Sequence, residues 1–304
     1  MTLLLLSITI LLLALLAYRA LQRALRADPF KKRFQNLYPP SKTVTWLSRQ
    51  GRRPLLAHLY QPADWHHTDK RPCIVLFFGG AWRVGSAWQF APFAARLCAL
   101  GAVVVLPEYR IKSRDSSTIE EAVVDGFTVI DKIRQSADCL GIDLARISVG
   151  GGSAGGHLAA WIATGRHPNG SHAADGFKPS SLLLFNPAVN FPIDASAYKG
   201  YSRRQKFSAR ALAKLSALDP MLHLESGHPD TLILHGDQDQ LVPVDKVEGY
   251  AAALQEQGAA VAMTIYPGRH HAFFNQTKSL DDFESSCASL ISFLTERDLI
   301  DSKV

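Results

Sequence analysis

Six short runs dominated by apolar residues follow one another between residues 73 and 267: CIVLFF (Cys73 to Phe78), AVVVLP (Ala102 to Pro107), RISVG (Arg146 to Gly150), SLLLFNP (Ser181 to Pro187), TLILHG (Thr231 to Gly236) and VAMTIYP (Val261 to Pro267). A strand with one wet face alternates apolar with polar residues, whereas a run without alternation suits a strand covered on both faces. Segments of helical length lie between the runs, at 88–100, 118–137, 157–164, 246–257 and 282–294. In the second of these, Ile119, Val123, Phe127, Ile130 and Ile133 recur at helical spacing and read as core. Strand–helix alternation of this kind predicts an α/β fold: a mostly parallel sheet with helices on both faces. Upstream, the polar–apolar alternation of 42–62 around Gln50-Gly51 predicts an antiparallel hairpin. Residues 190–229 break the rhythm. That stretch is polar, with helical segments and the aromatics Phe191, Tyr198 and Tyr201, and reads as a small cap over the carboxyl edge of the sheet.

Charge narrows the function classes. The chain of 304 residues carries a net +6, which by itself would suit a polyanion binder. Residues 1–33, however, hold Arg19, Arg23, Arg26, Lys31, Lys32 and Arg33 against one acid, Asp28. That segment supplies +5, and the remainder is close to neutral, so no nucleic-acid face is expected. The basic cluster follows an uncharged run, Leu3 to Ala17, which reads as an uncleaved membrane anchor with the following chain on the cytoplasmic side. The alternative is a signal peptide and a secreted product, although no Lys or Arg precedes the run. The expected organisation is therefore an anchor and basic segment over 1–33 and an α/β domain over 34–304, entered at the helix-breaking YPPSK of Tyr38 to Lys42. Cys73, Cys98, Cys139 and Cys287 are widely spaced, three of them in apolar surroundings, and read as thiols without a metal or disulfide role.

The chemistry centres on RISVGGGSAGGHLAAW, Arg146 to Trp161, where five glycines and an alanine surround Ser153. A strand that reverses directly into a helix needs small residues on both sides of the tip. Gly151-x-Ser153-x-Gly155 is the pattern of a nucleophile elbow, which lifts a serine hydroxyl clear of a sheet. No Gly-Lys-Ser/Thr follows, which excludes a Walker phosphate loop. A serine needs a histidine to take its proton and an acid to orient that histidine. Two later strands end in loops that carry them: HGDQDQLVP holds Asp237 and Asp239, and YPGRHHAF holds His270 and His271. Carboxyl ends of parallel strands are where such sheets build their sites.

These motifs, with FFGGAWRVGS after the first apolar run and PEYRI after the second, resemble α/β-hydrolases of the esterase/lipase group. That group contains hormone-sensitive-lipase-like carboxylesterases and bacterial feruloyl- and acetyl-esterase-like enzymes. The resemblance runs from about Pro54 to Leu294. It implies the α/β-hydrolase fold, Ser153 as nucleophile, His271 as base and Asp239 as orienting acid, with Asp237 and His270 as the displaced rivals. It also implies an oxyanion hole from the backbone N–H groups of Gly79, Gly80 and Ala154, with Ala81 a further candidate. Relatives carry histidine where this chain has Phe78, a residue that packs but cannot brace the loop by hydrogen bonding. Tyr109 and Arg110 are expected to pin their loop, His157 and His235 to hold turns, and Trp82 to border the acyl pocket.

The implied reaction is hydrolysis of a carboxylic ester through an acyl-enzyme, with no metal and no organic cofactor. An arylformamidase or a peptidase would use the same triad. No propeller-sized segment precedes the hydrolase part, which argues against a prolyl-oligopeptidase type. From a different class comes a membrane-tethered binding protein on a hydrolase scaffold, for which Phe78 is the one supporting feature. The expected partners are a small-molecule ester and, through residues 3–17, a membrane.

Overall fold

The computed structural model describes residues 28–49, 51–168, 177–191 and 214–300. Its centre is an eight-stranded sheet built from β1 (Lys42–Leu47), β2 (Leu55–Tyr60), β3 (Arg71–Phe77), β4 (Val103–Pro107), β5 (Ile142–Gly152), β6 (Ser181–Phe185), β7 (Asp230–Gly236) and β8 (Val261–Tyr266), in the order β1-β2-β4-β3-β5-β6-β7-β8. The six strands from β3 to β8 are the six apolar runs, and they pair in parallel. Strands β1 and β2 form the expected antiparallel hairpin, and β2 joins the sheet antiparallel to β4. Every residue of β4 and β6 is buried, as cover on both faces requires.

That cover comes from α1 (Pro29–Phe34), α2 (Ala91–Ala99), α3 (Ile119–Gln135), α4 (Ala154–Ala163), α5 (Val244–Glu256) and α6 (Leu280–Thr295). Helix α2 meets α6 through Phe93 and Phe283, whose rings are 4.8 Å apart. Helix α3 begins with a complete capping box, in which Thr118 and Glu121 satisfy each other's backbone N–H, and it packs on α4. The expected single helix over 88–100 is two pieces: a 3-10 turn at Ala87–Phe90, then α2. Pro92 lies in the first turn of α2, where its missing N–H does no harm, so the α-helix proper starts there.

The boundary expected at 33/34 falls inside a packed element. Asp28 caps α1 with its side chain, and Phe34 at the other end is fully buried. The phenol of Tyr60 donates to the Tyr38 carbonyl at 2.9 Å and fixes the chain that follows α1. The run from Leu3 to Ala17 and most of the basic segment lie outside the described residues, as does the greater part of the cap, 192–213. Among the described residues no helix is long and apolar enough to cross a membrane. All four cysteines are free; Cys73 and Cys287 are buried, Cys98 is half-buried and Cys139 is exposed.

Candidate active site

Strand β5 runs straight into α4, and the residue at the tip is Ser153, with φ 53° and ψ −115°. A side chain in that region is strained by about 1–3 kcal/mol, which the surroundings must sustain. They do so by closeness. A Cβ on Gly155 would lie 2.1 Å from the Phe77 carbonyl oxygen, and one on Gly151 would lie 2.4 Å from the same oxygen. The turn therefore exists only with glycine at both positions. The Ser153 N–H donates to Phe185 O, and Ser153 O accepts from the N–H groups of His157 and Ala188. The serine is held on both sides while its hydroxyl points outward.

Three loops converge on that hydroxyl. The Ser153 Oγ lies 2.9 Å from His271 Nε2, and His271 Nδ1 lies 2.6 Å from Asp239 Oδ2. A carboxylate can only accept, so Nδ1 carries the ring proton and Nε2 is left to receive the serine's. Asp239 is buried and its other oxygen accepts from the N–H groups of Leu241 and Val242. Burial pushes the Asp239 carboxyl upward, but the bond to His271, that ring's charge and the Val242 N–H outweigh it, and the acid is held below its ordinary value. The neighbouring His235 donates from Nε2 to the Val242 carbonyl at 3.0 Å and is kept neutral chiefly by burial.

The displaced rivals have other duties. Asp237 accepts from the Gly268 N–H at 2.7 Å and so ties the acid loop to the base loop. His270 is exposed and bonds the Gln238 carbonyl. Arg110 forks onto the carboxylate of Asp125, and the Tyr109 hydroxyl donates to the Phe78 carbonyl at 2.7 Å; both pin loops as expected. His157 donates to the Leu218 carbonyl at 2.7 Å, and its ring meets Trp82 edge-on at 5.0 Å. At the base of the cap, buried Asp219 accepts from the N–H groups of Asn190, Phe191 and Met221. One carboxylate thus ties the chain entering the insertion to the chain leaving it, and burial raises its pKa to about 6.

The oxyanion loop differs from expectation at one donor. The Gly79 N–H points away from the serine and donates to Gln89 Oε1 at 2.7 Å, so it is not free to meet an oxyanion. Beyond it, Gly80, Ala81 and Trp82 all have positive φ, at 135°, 54° and 56°, and the chain curls over the elbow. Among the described residues the N–H groups of Gly80, Ala81 and Ala154 donate to no other protein group. Of the expected donors Gly79, Gly80 and Ala154, only Gly79 is thus engaged elsewhere, and the unengaged Ala81 N–H lies beside Gly80. Phe78 stacks on Tyr109, with ring centres 4.2 Å apart and planes 18° apart. Packing anchors the strand end.

Sequence reasoning missed three polar residues here. Asn186, just past β6, accepts the Ala272 N–H and directs its amide nitrogen at His271 Nε2, 3.4 Å away. Gln89 and Asn275 meet each other at 2.9 Å between the oxyanion and base loops. The one available signal was a polar side chain standing inside an apolar run. Beside His271, a cavity of about 480 Å³ is lined by Gln240, Leu241, His270, Ala272 and Lys278.

Known proteins resemble this chain in sequence and in fold. The model of a family described as alpha/beta hydrolase fold matches residues 74–275. Esterase LipQ of Mycobacterium tuberculosis is 27% identical over 236 residues, covering 73% of this chain and 55% of its own. The chain spans about half the length of the curated relatives it matches. A butyrate-bound esterase of Thermogutta terrifontis superposes with a TM-score of 0.76 at 29% identity, over 88% of this chain and 98% of that one. Esterase 2 of the same organism, phosphorylated by paraoxon, gives 0.74 at 28% identity over 88% and 97%.

Proposed function

This chain belongs to the alpha/beta hydrolase fold family, and from that premise we propose that it hydrolyses carboxylic esters through an acyl-enzyme on Ser153. One observation carries the reading: an unbroken hydrogen-bond series from Asp239 through His271 to Ser153, on a serine held in a strained elbow. Ser153 Oγ attacks the ester carbonyl carbon as its proton passes to His271 Nε2. The carbonyl oxygen becomes an oxyanion facing the N–H groups of Gly80, Ala81 and Ala154. Asp239 keeps the Nδ1–H in place and stabilises the imidazolium. The alcohol leaves with the proton from His271. Water then attacks the acyl carbon, gives its proton to His271, and releases the acid as the proton returns to Ser153.

Short acyl groups are the substrates we infer, because the Thermogutta esterase to which the chain is similar is described with butyrate bound. Hydrolysis of p-nitrophenyl esters from acetate to decanoate tests this. The expected result is turnover greatest at two to four acyl carbons and absent in Ser153→Ala; comparable turnover in that variant would overturn the assignment. The uncharged run Leu3 to Ala17 and the basic residues after it support attachment to a membrane, with the hydrolase domain on the cytoplasmic side. Salt-resistant sedimentation with membranes, and protection of the domain from protease added outside intact cells, are the expected results. Release by salt, or digestion from outside, would refute attachment or orientation respectively.

A further inference from the structure

Gln89 and Asn275 are buried amides in an apolar setting. Gln89 precedes Phe90 and Asn275 follows Phe274, and those two rings stack at 5.5 Å, with Phe185 packed against both. Only 8% of Gln89 and 4% of Asn275 is exposed. A primary amide in such a place destabilises the fold unless its donors and acceptor are matched. These are matched to each other and to two catalytic loops. Gln89 Oε1 accepts from Gly79 N–H at 2.7 Å, Gln89 Nε2 donates to Asn275 Oδ1 at 2.9 Å, and Asn275 Nδ2 donates to the Ala272 carbonyl at 3.0 Å.

The direction of this chain of bonds is fixed from outside. A backbone N–H at one end can only donate and a carbonyl at the other can only accept, so both amide orientations follow. One end is the residue before the oxyanion donors Gly80 and Ala81. The other is the residue after the base, His271, and Ala272 is further held by Asn186. The Phe78 side chain packs on Tyr109 and makes no hydrogen bond, and the Gly79 N–H finds its acceptor in Gln89.

We propose that Gln89 and Asn275 form a positioning relay that holds the oxyanion donors at a fixed distance from His271, a role that rests on the ester-hydrolysis reading above. The relay touches neither substrate nor reacting atoms. It acts through Gly79 and Ala272. Its consequence is specific: disturbing it moves the oxyanion donors relative to the base, which weakens binding of the transition state while leaving ground-state binding of the ester alone.

The test measures kcat and KM for p-nitrophenyl butyrate, with kcat expressed per site titrated by a fluorophosphonate. Gln89→Met keeps the length and removes both bonds; Gln89→Glu keeps the shape and the acceptor but sets an oxygen against Asn275 Oδ1. Outright loss of an oxyanion donor costs about 10²–10³ in kcat, and a displaced donor costs less. Both variants are therefore expected to lose about tenfold to a hundredfold in titrated kcat with KM within about twofold. Gln89→Met combined with Asn275→Leu should fall no further than the worse single change, because both cut one relay. A merely structural role would lower the titrated fraction and leave kcat per site intact. Titrated kcat within about twofold of the parent in both Gln89 variants, or a loss confined to KM, would overturn the relay. If the parent itself neither labels nor turns over, the hydrolysis reading fails with it; a working parent with untouched variants fails the relay alone.

Discussion

The elbow at the end of β5 and the oxyanion loop after β3 lie against each other over the same site, yet they are held by different means. At the elbow everything is backbone: two glycines that no other residue can replace, a strained Ser153, a hydrogen bond from its N–H to the Phe185 carbonyl, and bonds to its carbonyl from the N–H groups of His157 and Ala188. At the oxyanion loop the backbone is positioned by side chains, with Phe78 stacked on Tyr109 and Gly79 bonded to Gln89. Backbone constraints admit one residue type and leave a motif. Side-chain constraints admit several solutions, and here they are a ring stack at Phe78 and an amide at Gln89.

The largest expected effect sharpens the contrast at the base. His271→Ala removes the ring that meets Ser153 Oγ at 2.9 Å and should lower kcat by about 10⁴ or more, as loss of a triad member does. His270→Ala removes a bond to the Gln238 carbonyl at an exposed position and should leave kcat within about threefold. Steady-state hydrolysis of p-nitrophenyl butyrate by both variants checks this, and a reversed order would move the base by one residue.

A smaller effect tests the tolerance of the brace. Phe78→His should keep kcat/KM within about tenfold, roughly 1.4 kcal/mol of barrier, because the loop donates through its backbone and Gln89 already holds Gly79. A gain of a thousandfold would mean that the oxyanion hole is impaired in the native chain, and would favour the binding-protein alternative.

The parallel sheet and the meeting of Asp239, His271 and Ser153 were legible in the sequence because both leave local signatures. Unbroken apolar runs marked β3 to β8, and loops after named strands carried Asp239 and His271 in register. The Gln89–Asn275 pair was not legible, since two amides 186 residues apart share no pattern until the chain has folded. Helix α1 escaped for another reason. Its six residues are too few for periodicity, and Phe34 looks like any apolar residue beside a basic cluster until it is seen buried. The bond from the Gly79 N–H to Gln89 was not legible either, because the spacing of glycines says where a loop turns and not which way each N–H points.

The smallest effect on turnover concerns His157, which links the two regions by packing on Trp82 from the first turn of α4. Burial lowers its pKa to about 4, against the Leu218 carbonyl that favours the protonated ring. The unfolded chain takes up this proton near pH 6.5 and the folded chain only near 4, so the stability it confers is full above about 6.5 and is lost as the pH falls towards 4. His157→Gln can still donate to Leu218 and cannot titrate. Thermal unfolding from pH 7.5 to 4.5 should show a shallower acid-side decline of Tm in the variant than in the parent. Equal slopes would remove His157 from the acid response.

The nucleophile itself is read most directly by peptide mass mapping after treatment with diethyl p-nitrophenyl phosphate, the reagent with which the similar Thermogutta enzyme is described as phosphorylated. Attack by Ser153 Oγ forms a phosphorus–oxygen bond, p-nitrophenolate leaves, and the serine's proton passes to His271. A single diethylphosphoryl group is expected on the peptide carrying Ser153, formed far more slowly in His271→Ala and absent in Ser153→Ala. A stable adduct on any other residue, or undiminished labelling of the Ser153→Ala protein, would contradict a Ser153–His271–Asp239 hydrolase.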